Sequence, residues 1–181
     1  MLFDFFNIVS ELKKIPRKGW KEKLGLQNPE SVADHSYITA IMAMTISDLK
    51  GLDTQKILKM SLLHDLAESI TGDLTPDEIS KESKNELENQ TMNDILSKLP
   101  PNLAKNYSKI WEEYQDGKSN EAILVHDADR LEMALQARKY RLEGLPEDKL
   151  ETFFSSARKD IKSNDMLEIL DEIYHINNKS V

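Results

Sequence analysis

Apolar residues recur at helical spacing along most of the chain, and no run alternates in the way that a half-buried strand would. The pattern therefore predicts an all-α fold of seven or eight helices. Two Pro and two Gly make residues 15–29 an ordered loop, and a helix is predicted to begin at Thr75 or Pro76. That helix includes the charged pattern of 81–98, and the other predicted helices cover about 2–14, 31–49, 53–71, 102–116, 120–142, 146–157 and 166–173.

One predicted helix combines apolar residues with a group of polar ones. Between Leu58 and Leu74, the side chains of His64, Asp65 and Glu68 fall within about 100° of a helical arc, and Asp73 follows just after a glycine. The opposite arc predicts a core-facing stripe made of Leu62, Leu63, Leu66, Ala67 and Ile70. The polar group is either a solvent-facing side of an amphipathic helix or a buried site, which would need partners or a metal ion.

The composition restricts what such a metal ion could be. The chain contains no cysteine, so any ligand must be His, Asp or Glu, a set that suits Mn, Co, Mg, Fe, Ni or Zn as a divalent cation. A net charge of −8 argues against docking on a nucleic-acid polymer. No apolar run approaches the length of a membrane span and the N-terminus is not basic, so a cytoplasmic protein without a membrane partner is expected.

Two further residues could complete a metal site. His35 lies near the start of the second predicted helix, where a lone histidine either packs or binds a ligand. Asp129 interrupts the apolar line of Val125 and Met133, so it either caps another helix, forms a salt bridge with Arg130 or Arg138, or binds a metal. With His64 and Asp65, these residues supply two imidazoles and two carboxylates from three helices.

A second His-Asp pair, His126-Asp127, shows that the dipeptide alone does not select the site. Only His64-Asp65 is followed by a glutamate three residues later and by a Gly-Asp turn. Ligation is therefore assigned to His64-Asp65 and to Asp129, and His126 is placed behind the ligands or at the surface. Arg17 and Trp20 stand out in the predicted loop: they either cover the surface and fill the core, or clamp a phosphate and stack on a base or sugar.

The ordered set His35, His64-Asp65 and Asp129 resembles the signature of the HD-domain metal-dependent phosphohydrolases, and within them the HD-domain 5′-deoxynucleotidases. Six blocks in the same order carry the resemblance over most of the chain: Arg17–Trp20, Glu30–Ser36, Leu63–Glu68, Thr71–Leu74, Trp111–Tyr114 and Ala128–Met133. Two positions differ from the pattern. Lys18-Gly19 separate Arg17 from Trp20, which are adjacent in some members, and His126 stands where a lysine is common.

The resemblance implies one HD domain over residues 1–181, with a metal-site core at about 15–143 and C-terminal helices at 146–176 packed on it. It also implies hydrolysis of small-molecule 2′-deoxyribonucleoside 5′-monophosphates to the deoxynucleoside and phosphate by a homodimer. The metal ligands would be His35, His64, Asp65 and Asp129. Glu68 and Asp73 would act on substrate and water or hold a second ion, together with Arg17 as the phosphate-orienting catalytic residue. The substrate would contact Arg17, Trp20, Asp65, Asp73, Leu74, Thr75 and Pro76, with Trp20 crowding the sugar 2′ position.

Two other functions fit the same residues. An HD hydrolase could act on another phosphorylated nucleotide or metabolite, and a non-catalytic helical module could use the metal for structure or interaction. Glu68, Asp73 and Arg17 argue against the second alternative, because a purely structural metal site does not need them.

Overall fold

The computed structural model of the protein describes residues 2–75 and 77–175. The described part contains ten α-helices and no β-strand, which confirms the predicted all-α fold with more helices than expected. The helices are α1 (Leu2–Glu11), α2 (Lys18–Leu24), α3 (Val32–Lys50), α4 (Thr54–Leu63), α5 (Glu68–Thr71), α6 (Lys81–Leu96), α7 (Pro101–Asp116), α8 (Asn120–Leu142), α9 (Glu147–Asp160) and α10 (Asn164–His175).

Helix α2 lies where the sequence predicted a loop. Its first amide, on Lys18, donates a hydrogen bond of 2.6 Å to the carboxylate of Asp73, 55 residues further along the chain. At its other end Gly25 adopts the left-handed conformation, with φ of 71°, and closes the last turn. Because the cap comes from a distant residue, the local pattern of Pro and Gly could not reveal this helix.

The long helix predicted from Asp53 to Thr71 is broken in the middle. Asp53 caps its start as expected, but α4 ends at Leu63 and residues 64–67 form a tighter turn before α5. The side chain of His64 hydrogen-bonds the Ser61 carbonyl, the acceptor that a continuing α-helix would use four residues later. The tightening changes which side chains face inward.

The predicted core-facing stripe of this segment is therefore only partly correct. Leu63, Leu66 and Ala67 are buried, whereas Leu62 and Ile70 are more than half exposed. Leu62 lies in α4, which turns Ile57 and Met60 to the core instead, whereas Ile70 comes after the break between α4 and α5.

The start of α6 is also later than predicted. Of the two residues expected to begin a helix, Thr75 lies in an irregular segment and Pro76 lies outside the described residues. The Thr75 amide donates to the Glu78 carboxylate, and α6 begins only after Ser80, whose side chain accepts a hydrogen bond from the Ser83 amide.

Three helices bring the polar residues together. Helix α3 packs against both α4 and α8, while α9 and α10 lie on the other parts of α8. A capping box of Ser31 and Asp34 fixes the first turn of α3. None of the helices in the described ranges has both the length and the apolar character needed to cross a membrane.

Candidate metal centre

His35 lies in the first turn of α3 and is fully buried. Its Nδ1 lies 2.5 Å from Oε2 of Glu132 on α8. Its Nε2 points to the other side, 3.1 Å from Oδ1 of Asp129 and 3.6 Å from Oδ2 of Asp65. The two ring nitrogens of His35 thus have different tasks: Nδ1 fixes the ring, and Nε2 faces two carboxylates.

His64 is arranged in the same way. Its Nδ1 lies 2.6 Å from the Ser61 carbonyl oxygen, and its Nε2 lies 3.2 Å from Oδ2 of Asp65. The Nε2 atoms of His64 and His35 are 3.4 Å apart. The break between α4 and α5 therefore places His64 and Asp65 opposite the ligand candidates from α3 and α8.

This donor set fits a divalent metal ion. Since a carbonyl oxygen only accepts hydrogen bonds, His64 must carry a proton on Nδ1, and its neutral form then presents a lone pair from Nε2. The carboxylate of Glu132 favours the same tautomer for His35. Two Nε2 lone pairs and two carboxylates then face one another. These electron-rich groups repel each other unless a cation or extra protons lie between them. Nitrogen and oxygen ligands in this number suit the predicted metals.

The pKa values of the candidate ligands also show that this group of carboxylates attracts positive charge. Although burial and Arg17 oppose a charged imidazole, hydrogen bonds to Asp129 and Glu132 raise the pKa of His35 to about 10. Burial likewise opposes a charged His64, but Asp65 raises its pKa. Burial would raise the pKa of Asp65, yet His64, His35 and Arg17 hold it well below its usual range.

Arg17 lies beside these residues, just before α2. Its Nη1 is 3.4 Å from Oδ2 of Asp65, and its side chain is only 15% exposed. Burial disfavours its charge, but Asp65, Asp129, Asp73 and Glu68 together raise its pKa above the ordinary value. A permanently charged guanidinium is therefore held at the edge of the carboxylate cluster, where an anionic group could bind.

Glu68 begins α5 and is almost completely buried. Burial, followed by the charges of Asp65 and Asp73, raises its pKa well above the usual value. One carboxylate oxygen, Oε1, lies 3.4 Å from the Lys84 ammonium on α6. Oε2 is buried and has no hydrogen-bond partner among the described residues. Glu68 therefore has an oxygen left to accept a hydrogen bond from water or a ligand.

The other predicted substrate residues follow α5. Asp73 is half-buried and caps α2 through the Lys18 amide, as described above. The Leu74 carbonyl accepts a hydrogen bond of 3.1 Å from Lys84, and Thr75 is buried beside Glu78. The predicted contact of Pro76 lies outside the described residues.

Trp20 lies in the protein interior. Its indole is 2% exposed and packs against Tyr140 and against Phe153 of α9, with a centroid separation of 4.0 Å from the Phe153 ring. Its Nε1 donates a hydrogen bond of 2.9 Å to Glu30. Two roles were possible for Trp20, packing in the core or contact with a base or sugar. The structure shows Trp20 packed in the core, and its contact with a sugar stays a prediction.

Sequence reasoning missed Glu132 and Lys84. Glu132 is buried and lies one turn after Asp129 on α8. A second acid three residues after a buried acid was a usable signal, because both face one side of the helix. Lys84 gave no such signal, since it belongs to a highly charged segment whose lysines look alike in the sequence.

The second His-Asp pair has a different task. The carboxylate of Asp127 is fully buried and accepts hydrogen bonds from the amides of Lys162 and Ser163, just before α10. His126 stacks on the Tyr114 ring, and its Nε2 lies 3.0 Å from the Tyr114 carbonyl oxygen. The described contacts of both residues hold helices together.

Comparison with known proteins gives the family of the chain. The family model of the HD domain matches residues 9–170. The chain belongs to the HD domain family. It is 42% identical over 166 residues to the 5′-deoxynucleotidase HDDC2 of Dictyostelium discoideum, covering 86% of this chain and 87% of that protein. The human 5′-deoxynucleotidase HDDC2 is 38% identical over 174 residues, covering 95% and 84%.

A solved structure extends the similarity to the whole fold. A conserved hypothetical protein from Pyrococcus furiosus superimposes with a TM-score of 0.78 at 33% identity, covering 96% of this chain and 99% of that one. The resemblance to the HD-domain phosphohydrolases that the motifs indicated is thus confirmed.

Proposed function

We propose that this HD-domain protein is a metal-dependent phosphomonoesterase that hydrolyses 2′-deoxyribonucleoside 5′-monophosphates to the deoxynucleoside and phosphate. The observation that carries the proposal is the convergence of His35, His64, Asp65 and Asp129 beside a buried arginine. The relatives named 5′-deoxynucleotidase, which match most of the chain, supply the substrate class.

The four converging residues would hold one divalent cation. Nε2 of His35 and of His64 would bind it with the carboxylates of Asp65 and Asp129, while Glu132 and the Ser61 carbonyl keep the imidazoles in the required tautomer. When bound, the cation polarises a phosphoryl oxygen and makes a water molecule more acidic. Glu68 and Asp73 are our candidates for a second ion.

Arg17 and Glu68 would act directly on the phosphate and on the attacking water. The guanidinium of Arg17 would pair with phosphate oxygens and stabilise the charge that builds up during transfer. Oε2 of Glu68, which is buried and lacks a partner among the described residues, would accept the proton of the attacking water. The water oxygen bonds to phosphorus, the P–O5′ bond breaks with its electron pair going to O5′, and O5′ takes up a proton from solvent while Glu68 returns its proton to solvent.

The remaining roles concern the sugar. We place it along Asp73, Leu74, Thr75 and Pro76, with Trp20 limiting the space at the 2′ position. Since the Trp20 ring is buried, it could act by shaping the backbone of α2 next to Arg17. We also infer a homodimer, which the resemblance to the HD-domain 5′-deoxynucleotidases implies, and a cytoplasmic location, which rests on the composition of the chain.

A substrate panel tests the proposal. Protein purified without a chelator is assayed for phosphate release from matched deoxyribo- and ribonucleoside 5′-monophosphates, with Mn²⁺, Co²⁺ or Mg²⁺ added separately. We expect release from the deoxy series, loss after chelation, and recovery when the metal returns. Asp65→Ala should remove activity while the helical circular dichroism is retained.

The same panel separates the alternatives. Equal rates on both sugars, or no phosphate release, would contradict a deoxynucleotidase. Release of pyrophosphate or triphosphate from longer nucleotides would indicate a different HD hydrolase. Loss of the fold in Asp65→Ala, together with an inactive wild type, would support a structural metal.

A further inference from the structure

Lys84 connects two parts of the site that are separate in the sequence. Its ammonium lies 3.4 Å from Oε1 of Glu68 and 3.1 Å from the Leu74 carbonyl oxygen. Glu68 begins α5, whereas Leu74 follows the glycine that ends it. A single side chain on α6 thus contacts both the candidate base and the segment expected to line the sugar.

The contacts of Lys84 explain how Glu68 can keep a defined orientation. A buried carboxylate needs hydrogen bonds or an opposite charge, and Oε1 obtains both from Lys84. Oε2 is left without a hydrogen-bond partner in the described ranges. Binding one oxygen to Lys84 fixes the rotation of the carboxylate and leaves the other oxygen for water.

A neighbouring acid holds the lysine itself. Glu88, one turn further along α6, lies 3.5 Å from the Lys84 ammonium. The Lys84 side chain is 30% exposed, and the Glu88 side chain is 13% exposed. The ion pair with Glu88 limits the conformations of the long Lys84 side chain. Lys84 therefore loses less conformational entropy when it contacts Glu68 and Leu74.

We propose that Lys84 is a positioning residue that locks the Glu68 carboxylate and the Leu74 segment into one arrangement. Lys84 acts through these two groups and makes no bond to the reacting atoms. The kinetic consequence rests on the proposed phosphomonoesterase function, whereas the tether between α6 and the Leu74 segment does not depend on it.

A double-mutant cycle tests the kinetic part. Lys84→Met should lower kcat for a deoxynucleoside monophosphate by about tenfold or more, because the base loses its orientation. Lys84→Arg, which keeps the charge, should recover most of the loss. In a Glu68→Gln background, adding Lys84→Met should change kcat by less than about twofold, since residues that act as a unit are not additive.

Lys81→Met is the matched control. Lys81 lies one turn earlier on α6 and is exposed, so the same substitution there should leave kcat and KM as in the wild type. The proposal is overturned if Lys84→Met behaves like Lys81→Met, or if its effect is equally large with Glu68→Gln present.

A second measurement does not need activity. Hydrogen exchange is followed in the metal-free protein over a peptide covering residues 69–75, where the Gly72 amide donates to Glu68 and the Thr75 amide to Glu78. Lys84→Met should exchange about fivefold faster there, and Lys81→Met at the wild-type rate. Unchanged exchange in Lys84→Met overturns the tether, whereas an inactive wild type with faster exchange in Lys84→Met contradicts only the proposed function.

Discussion

Glu132 determines which nitrogen of His35 is available. Its carboxylate lies 2.5 Å from Nδ1, on the side of the ring opposite to Asp129 and Asp65. A carboxylate at this position keeps the proton on Nδ1 and makes the other nitrogen a better donor to a metal. Glu132 therefore belongs to the function of the site although it does not face the cation position.

Glu132→Gln should weaken metal binding by about tenfold. The amide keeps the shape of the side chain but removes the charge that favours the correct tautomer, and its NH₂ group can face Nδ1. Isothermal titration with Mn²⁺ measures the affinity. Glu143→Gln, an exposed substitution at the end of the same helix, is the control, and equal affinities of the two variants would contradict the orienting role.

Metal binding should also release protons. With burial opposing and acidic neighbours favouring the charged form, the pKa of His35 is raised to about 10 and that of His64 is raised as well. His35 therefore holds an extra proton in the metal-free protein at neutral pH, and the raised pKa of His64 favours its charged form in the same direction. A cation needs them neutral, so affinity should increase with pH between about 6 and 8.

Calorimetry in buffers of different ionisation enthalpy measures this release. The apparent enthalpy of Mn²⁺ binding should change with the buffer in proportion to the protons released. A binding enthalpy that is independent of the buffer, or an affinity that falls as pH rises, would contradict the prediction.

At the scale of the helices, the buried Asp127 carboxylate holds the start of α10 against α8 through two backbone amides. Asp127→Asn replaces one acceptor oxygen by a donor that opposes an N–H group. The free energy of unfolding should fall by about 1–3 kcal/mol, with Mn²⁺ affinity unchanged. Urea denaturation measures the first quantity, and Asp94→Asn, on the exposed side of α6, is the control.

A loss of metal affinity in Asp127→Asn without a loss of stability would mean that the second His-Asp pair belongs to the metal site. Asp129→Asn should instead lower the Mn²⁺ affinity, since Oδ1 of Asp129 faces Nε2 of His35.

The sequence could predict most of the helices and the candidate ligands that the fold brings together, because helical periodicity, capping residues and the order of His and Asp are local signals. That these residues bind a metal ion stays a prediction. The start of α2 depends on Asp73, and the break after α4 depends on the His64 side chain binding a carbonyl. Similarly, Lys84 was missed because its importance comes from contacts with Glu68 and Leu74, which lie in another segment. Glu132 did have a local signal, its spacing of three residues from Asp129 on one helix. Local sequence patterns do not predict a helix boundary or a side-chain contact that depends on a hydrogen bond to a distant residue.

At the scale of the whole molecule, the candidate ligands come from three parts of the chain that meet only after folding. His35 is in α3, His64 and Asp65 lie in the turn after α4, and Asp129 is in α8. A cation bound to all of them would link the central helices of the fold. In the unfolded chain these ligands are far apart, so the native state should bind the ion much more tightly.

Metal addition should therefore raise the melting temperature. At a free concentration of about 100 times Kd, binding to the native state alone adds about 2.7 kcal/mol of stability. For a domain of this size, that corresponds to about 5–10 °C. Asp129→Ala should abolish the shift, because it removes one ligand, and Lys81→Met should keep it.

The same melting experiment tests the prediction of one domain. Trp20 packs beside α9, whereas Trp111 on α7 hydrogen-bonds Asn89 on α6, so tryptophan fluorescence reports both on the contact with α9 and on the pair α6 and α7. Because α9 and α10 pack on the helix that carries Asp129, fluorescence and circular dichroism should give one coincident transition, with and without metal. If the transitions separate, and the metal moves only one of them, then the C-terminal helices form a unit that unfolds independently of the metal site.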